Sequence, residues 1–545
     1  MAAERSVALR DKLFRALGRP FPGVIAAVIV GGCVSLAQGI DASWDLRNYH
    51  LYNPWAWLNN RLYVDYAPAQ IQSYLNPLPD LPFYALIRAG TPAPAIAFLM
   101  GIPFGLAAYF FLRLARGVTL DLAVRRQTLV LAAVAVVALT GAAGFPQIGT
   151  TSNEWTTAFL VTAALLLLVR GIRRSGAVDH PASFFAGTLS GAAVGLKLNA
   201  AVYAVALWLT LAWCLRRRHV LLTLLAITGG MLVGFIATYG FWGLVLWKRF
   251  GSPVFPFFNG VLKSEYWDSR TFFDSNFKRT AVQWLTLPFQ LAYRGMIASE
   301  TNQRDARMAV LVVLVFILAL SAARQWRSSG LRAQPLGRVA MPQSIVLLIA
   351  FTGFSYLVWL IVFRVYRYTI PIELVASLLL VLAMRAALAG SKYQTVIAAV
   401  VLGAIVATTA FQDLGRIPLR AERYIEVKVP SIPPDSLVLI LSGEPVAYIV
   451  PFIESRPRIV RPISNFTGPD HHNRLQREIT SVVYSQRGPL YVIRYLDTRD
   501  HTEDEALAFY GLKRVDERCQ TIESNLEGGR QLGICPVVRD SQFRG

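Results

Sequence analysis

Long apolar runs separated by short basic loops dominate the first three quarters of the chain. Runs long enough to cross a bilayer, about 17 to 25 residues, occur at 21–40, 93–113, 128–145, 154–170, 183–197, 199–215, 220–247, 307–323, 343–363, 369–388 and 395–411. They predict about 11 transmembrane helices, with 183–215 read as two helices turning near Lys197-Leu-Asn199. Two shorter apolar segments, 79–89 and 282–297, are flanked or interrupted by proline and predict helices on the membrane surface or partly re-entering it. After residue 411 the pattern changes. Short β-like runs at 437–441, 458–463, 490–495 and 531–538 alternate with helical stretches at 471–485 and 502–510, which predicts a small α/β domain. The expected fold is an α-helical polytopic membrane protein over 1–411 with a soluble α/β domain over 412–545.

Composition narrows the class. With 54% hydrophobic and 16% charged residues and a mean hydropathy of +0.44, the chain is not an ordinary soluble protein. A net charge of +21 invites a nucleic-acid reading, but the cations fall in clusters between apolar runs, as the positive-inside rule produces. Arg113, Arg116, Arg125, Arg126, Arg170, Arg173, Arg174, Arg216 to Arg218, Arg324, Arg327, Arg332, Arg338, Arg385 and Lys392 lie in alternate loops, where only Asp121 and Asp179 are acidic. Those loops are therefore expected to be cytoplasmic together with the basic stretch before residue 20, with 21–40 an uncleaved first span. Loops 41–92 and 248–306 and the tail then face outward. Cys33 and Cys214 sit in apolar spans, whereas Cys519 and Cys535 flank a polar turn and predict a disulfide in an oxidising compartment. The expected setting is a bacterial inner membrane, N-terminus cytoplasmic and tail periplasmic.

Candidate chemistry concentrates in the first outer loop. Asp41-Ala-Ser-Trp-Asp45-Leu-Arg47-Asn48-Tyr49-His50, followed by Asp65 and Asn76, places carboxylates, amides and a histidine directly beside a span. Polar groups there are costly unless they pair or act. If the last turn of the span continues, Asp41 and Asp45 point along one helix face, and either suits a general base; His50 and Asp65 are further candidates. The aromatic loop around Lys263 and Glu265 has the mixture of rings and polar groups that sugar binding uses. Lys197 and the Phe363-Arg364-Val-Tyr366-Arg367-Tyr368 turn place cations on the outer side, where they suit a lipid phosphate. No nucleotide-binding motif is present, and His471-His472 lacks companion metal ligands.

These residues carry a resemblance. A many-span chain whose first outer loop opens with Asp41 and Asp45 in a Trp44-Asp45-Leu-Arg47-Asn48-Tyr49-His50 run, with outer Arg364 and Arg367 and an outer C-terminal domain, resembles the GT-C superfamily of polyprenyl-phosphate-sugar-dependent glycosyltransferases. The resemblance implies an enzyme of the glycosyltransferase class. Its donor is a polyprenyl-phosphate-linked sugar, its acceptor a lipid, an envelope glycan or a protein, and transfer occurs at the outer membrane face. Asp45 or Asp41 would be the base or acceptor-orienting group, with His50 beside them. Arg364, Arg367, Lys197 and Tyr368 would hold the donor phosphate, and Arg47, Asn48, Tyr49, Asp65, Asn76, Lys263 and Glu265 would bind substrate. The Asp-x-Asp metal pair of some members is absent; no cofactor and no metal are indicated, and no nucleic acid. A glycan polymerase or ligase using a lipid diphosphate donor, a transporter or flippase, and a non-catalytic assembly subunit remain the alternatives.

Overall fold

The computed structural model describes residues 20–176, 178–214, 220–269, 281–296, 298–299, 302–328, 341–420, 422–498 and 501–540. The basic stretch before residue 20, Arg216 to Arg218, Arg332 and Arg338 lie outside them. Every expected span is occupied by helix. Among the described residues, seven helical stretches are long and apolar enough to cross a membrane: Phe21–Gln38, Ala93–Val118, Glu154–Ser175, Val220–Phe250, Arg307–Arg324, Gln343–Val362 and Tyr366–Ala387. The other four expected spans hold shorter helices, Val124–Leu139, His180–Leu196, Ala201–Cys214 and Gln394–Thr408. Exposed Leu, Ile, Val and Phe side chains such as Leu232, Ile236, Phe316 and Val400 cover their outer faces, an apolar belt suited to lipid rather than water.

Glycines let the helices of one pair meet backbone to backbone. Gly187 and Gly191 on His180–Leu196 face Gly230 and Gly234 on Val220–Phe250. A Cβ at Gly191 would fall 2.0 Å from the Met231 carbonyl oxygen, and one at Gly230 2.0 Å from that of Phe184. Small residues at such spacing allow close approach inside a membrane, where the hydrophobic effect does not drive helix association. The seam ends at Lys197 and so fixes where that side chain emerges.

The tail folds as anticipated, around a seven-stranded sheet: β1 (Val427–Lys428), β2 (Leu437–Ile440), β3 (Arg458–Val460), β4 (Leu490–Tyr495), β5 (Leu512–Arg514), β6 (Gln520–Ser524) and β7 (Leu532–Arg539). Its order is β1-β6-β7-β4-β2-β3, with β5 also on β7. β2 runs parallel to β3 and β4, with the helix Arg474–Ser485 crossing between β3 and β4, while β4 and β7 are antiparallel. Strand β2 is buried along its whole length, which explains why its sequence is a continuous apolar run rather than an alternating one. Cys519 and Cys535 form a disulfide across β6 and β7; closing a loop of this size contributes about 3 kcal/mol in the chain-entropy model.

The first loop does not continue the first helix. That helix ends at Gln38, Gly39 turns with φ 85°, and Ile40 bridges to Ile417 of the tail. The expectation that Asp41 and Asp45 share one face of a continuing helix is thereby corrected. Gly39 permits a backbone conformation that other residues rarely adopt, and the chain leaves the span to pair with the tail instead.

Candidate functional site

Asp41 is fully buried and saturated. Its carboxylate accepts from the Ser43 amide (2.9 Å), the Thr151 amide (2.8 Å) and the Thr151 hydroxyl (2.9 Å), and its own amide donates to the Tyr424 hydroxyl (2.9 Å). It braces the loop against two other segments.

Asp45 begins a π-helical turn, Leu46–His50. In an α-helix, residues five apart stand about 140° apart around the axis; the i to i+5 bonding of a π turn brings such residues over one another. Asp45 and His50 thus come to one side. Asp45 Oδ2 accepts from Arg367 Nη1 at 2.9 Å. Burial pushes the Asp45 carboxyl up, but the Arg367 guanidinium, with His50 and Lys197 behind it, outweighs burial and holds it below its ordinary value.

Arg367 stands on the short turn Tyr366–Thr369 between two spans. Tyr368 lies between two cations: its ring is 5.5 Å from the Arg367 guanidinium and 5.6 Å from Lys197 Nζ. Lys197 caps the helix His180–Leu196 and donates to the Ser152 carbonyl (2.5 Å) and to Glu154 Oε1 (2.6 Å). His50 Nδ1 is 2.7 Å from Asp80 Oδ1, which also accepts from Asn153 Nδ2 at 2.7 Å. Burial pushes the Asp80 carboxyl up, against the pull of His50, Asn153 and Lys197. The Tyr49 ring lies tilted by 38° against that of His50, with ring centres 4.0 Å apart. His50, Asp80, Asn76, Asn153 and Lys197 line an open pocket.

Four segments distant in sequence therefore converge: the first loop, 151–154, the turn at 197 and the turn at 366–368. Asp45, His50, Lys197, Arg367 and Tyr368 meet as a group. The other anticipated residues lie elsewhere. Arg364 turns away, with φ 59°, its guanidinium 4.9 Å from the Trp284 ring and its Nε donating to the Leu360 carbonyl. Asp65 pairs with Arg61 (2.5 and 2.9 Å), the Tyr52 hydroxyl and the Ile459 amide, joining the loop to β3; burial pushes its carboxyl up against the pull of Arg61. Asn76 clips the loop to the Gly195 and Thr238 carbonyls. Asn48 donates to the Ala69 carbonyl. Arg47 reaches Glu527 of the tail at 3.2 Å, and Glu527 also takes the hydroxyls of Tyr448 and Tyr495.

Lys263 and Glu265 are exposed. Their loop packs on the tail domain, where the Glu265 carbonyl accepts from the Arg474 amide and Asp268 pairs with His471 at 2.8 Å. His471 thus latches two parts of the chain together. Asp80, Asn153 and Glu154 went unread in the sequence, because a lone acid or amide at a helix start is ordinary capping chemistry. Among the described residues no group of three or more His, Cys, Asp or Glu is placed to hold a metal.

No family model and no curated protein sequence matches the chain. Among solved structures it is similar to the oligosaccharyltransferase of Archaeoglobus fulgidus. Its apo form is 11% identical, with 87% of this chain and 69% of that one covered and a TM-score of 0.43. The form complexed with zinc and sulfate gives 12%, 86%, 68% and 0.39. The form tethered to an acceptor peptide gives 13%, 87%, 69% and 0.41.

Proposed function

We propose that this protein is an integral membrane glycosyltransferase. It moves a sugar from a polyprenyl-phosphate donor to a lipid, glycan or protein acceptor at the outer face of a bacterial inner membrane, with its tail domain in the periplasm. The observation that carries this reading is the meeting of Asp45, Arg367, Tyr368 and Lys197 beside an open pocket at the ends of the spans. Two cations flanking one tyrosine ring suit the phosphate of the donor, Arg367 by its planar fork and Lys197 as a point charge. Both are held by carboxylates in the donor-free protein, so a phosphate binds by exchange: it displaces Asp45 from Arg367, and the freed carboxylate turns to orient the acceptor. As the bond from the sugar to the phosphate breaks, the cations stabilise the charge left on the phosphate. The disulfide of the tail and the basic inner loops support the outward placement.

The test is transfer of radiolabelled sugar from a panel of polyprenyl-phosphate donors in membranes carrying wild type, Arg367→Ala or Asp45→Asn at matched levels. Transfer by wild type that falls in both variants is expected. No transfer by wild type with any donor overturns the reading and favours a carrier.

A further inference from the structure

We propose that His50, held by Asp80, is the base that takes the proton from the acceptor hydroxyl; this rests on the transfer reading above. Asp80 Oδ1 faces two donors, Asn153 Nδ2 and His50 Nδ1, each at 2.7 Å. With the imidazole proton on Nδ1, Asp80 Oδ1 accepts from both sides, and in the neutral ring Nε2 then carries the lone pair. That atom is buried and has no hydrogen-bond partner, on a residue 2% exposed that lines the pocket. A buried acceptor without a partner is costly in a folded protein, and here it sits on a residue that lines an open pocket.

The other acids of the loop are engaged. Asp41 takes three donors, Asp65 takes Arg61, Tyr52 and the Ile459 amide, and Asp45 takes Arg367. Among these four, the imidazole has a buried ring nitrogen without a partner, on a residue that lines the pocket. The charged groups around it are Asp45 and Asp80 on its own loop, Glu154, Lys197 at the helix turn, and Arg367. Tyr49 lies against its ring, and Tyr74 and Tyr239 complete the titratable lining of the pocket.

The step balances without a co-reactant. The acceptor oxygen bonds to the anomeric carbon, its proton passes to His50 Nε2, and the bond from that carbon to the phosphate oxygen breaks with its electron pair leaving on the phosphate. The imidazolium formed is stabilised by Asp80, and the phosphate charge by Arg367 and Lys197. The acceptor class is therefore a hydroxyl compound, whose proton a neutral imidazole can take as the bond forms.

The experiment is the pH dependence of kcat/KM for the acceptor, from pH 5 to 8.5, in wild type, His50→Gln and Asp80→Asn. Wild type should lose activity toward acid, up to tenfold per pH unit. His50→Gln should lose about 100-fold or more together with the acid limb, with the donor KM within threefold. Asp80→Asn removes the carboxylate that favours the charged ring, so its acid limb should move to lower pH; should His50→Gln fail to accumulate, an unmoved limb in Asp80→Asn overturns the assignment. A flat wild-type profile, or His50→Gln retaining more than a third of the activity with its acid limb, also overturns it while leaving the transfer reading intact. Absence of any transfer by wild type sinks both.

Discussion

Two carboxylate–cation knots sit at the same ends of the spans, and the segment 366–373 belongs to both. In one, Arg367 meets Asp45, and Lys197, which lines a pocket, meets Glu154. In the other, Arg307 meets Asp305 at 2.7 Å and Glu373 caps the turn at 141–144, accepting from the amides of Ala143 (2.9 Å) and Gly144 (3.1 Å). Arg307 is spent completely: it donates to the carbonyls of Val137 and Thr140, to the hydroxyls of Thr140 and Thr409, and to Asp305. The turn around Glu373 leaves no slack, since a Cβ at Gly141 would fall 1.8 Å from its Oε1. The first knot keeps a bare imidazole nitrogen and opens on space. The second knot also borders a pocket, lined by Arg307 and Glu373, so what separates the two is that Arg307 is saturated whereas the His50 ring beside the first keeps an unpartnered nitrogen.

The largest effect should come from breaking the saturated knot. Arg307→Met leaves the buried Asp305 carboxylate without its cation and should cost about 3–5 kcal/mol, seen as a fall in thermal midpoint in detergent with loss of transfer as a consequence. Arg367→Ala should do the reverse: transfer drops by about 10²–10³-fold, as removal of one charge-stabilising donor does, while the thermal midpoint moves far less than in Arg307→Met. Equal loss of stability in the two would erase the distinction. Glu154→Gln sharpens it further. Freeing Lys197 from its carboxylate should lower the donor KM severalfold in transfer kinetics, because the lysine no longer has to be exchanged. The smallest effect is a pH effect. The Asp45 carboxyl lies lower in the folded protein than unfolded, so its pair with Arg367 adds stability above the ordinary aspartate value, about pH 3.9, and loses it as pH falls through the folded value. In Asp45→Asn the acid side of the stability curve should flatten slightly in a thermal-shift series from pH 3 to 6.

The helices and the tail sheet were legible because apolar run length and alternation are local signals. Asp45, His50, Lys197, Arg367 and Tyr368 were legible because a charge or a histidine at the edge of a span carries a cost that some partner must offset. Their partners were not. Asp80 reads as a turn residue among prolines, Glu154 as a first-turn acid of a helix, and nothing in Leu46–His50 announces a π turn that swings His50 round to Asp45. Glu373, inside an apolar run, carried a signal of the same kind as Arg367. Lys263 and Glu265 looked like sugar-binding groups because rings and charges also make good latches, and theirs docks the tail domain.

Arg47 closes on Glu527, 480 positions further along; Asp41 and Asp65 close on residues 424 and 459. On a ribosome adding about 5–20 residues per second, the loop that leaves the first span waits roughly half a minute or more for the contacts that set it. The protein is thus assembled in reverse order of its parts: the first polar loop to be made is the last to take its shape. A chain cut short before residue 424 carries Asp45 and His50 but leaves the loop that bears them without any of these three anchors, and one cut before the final strands still lacks Glu527.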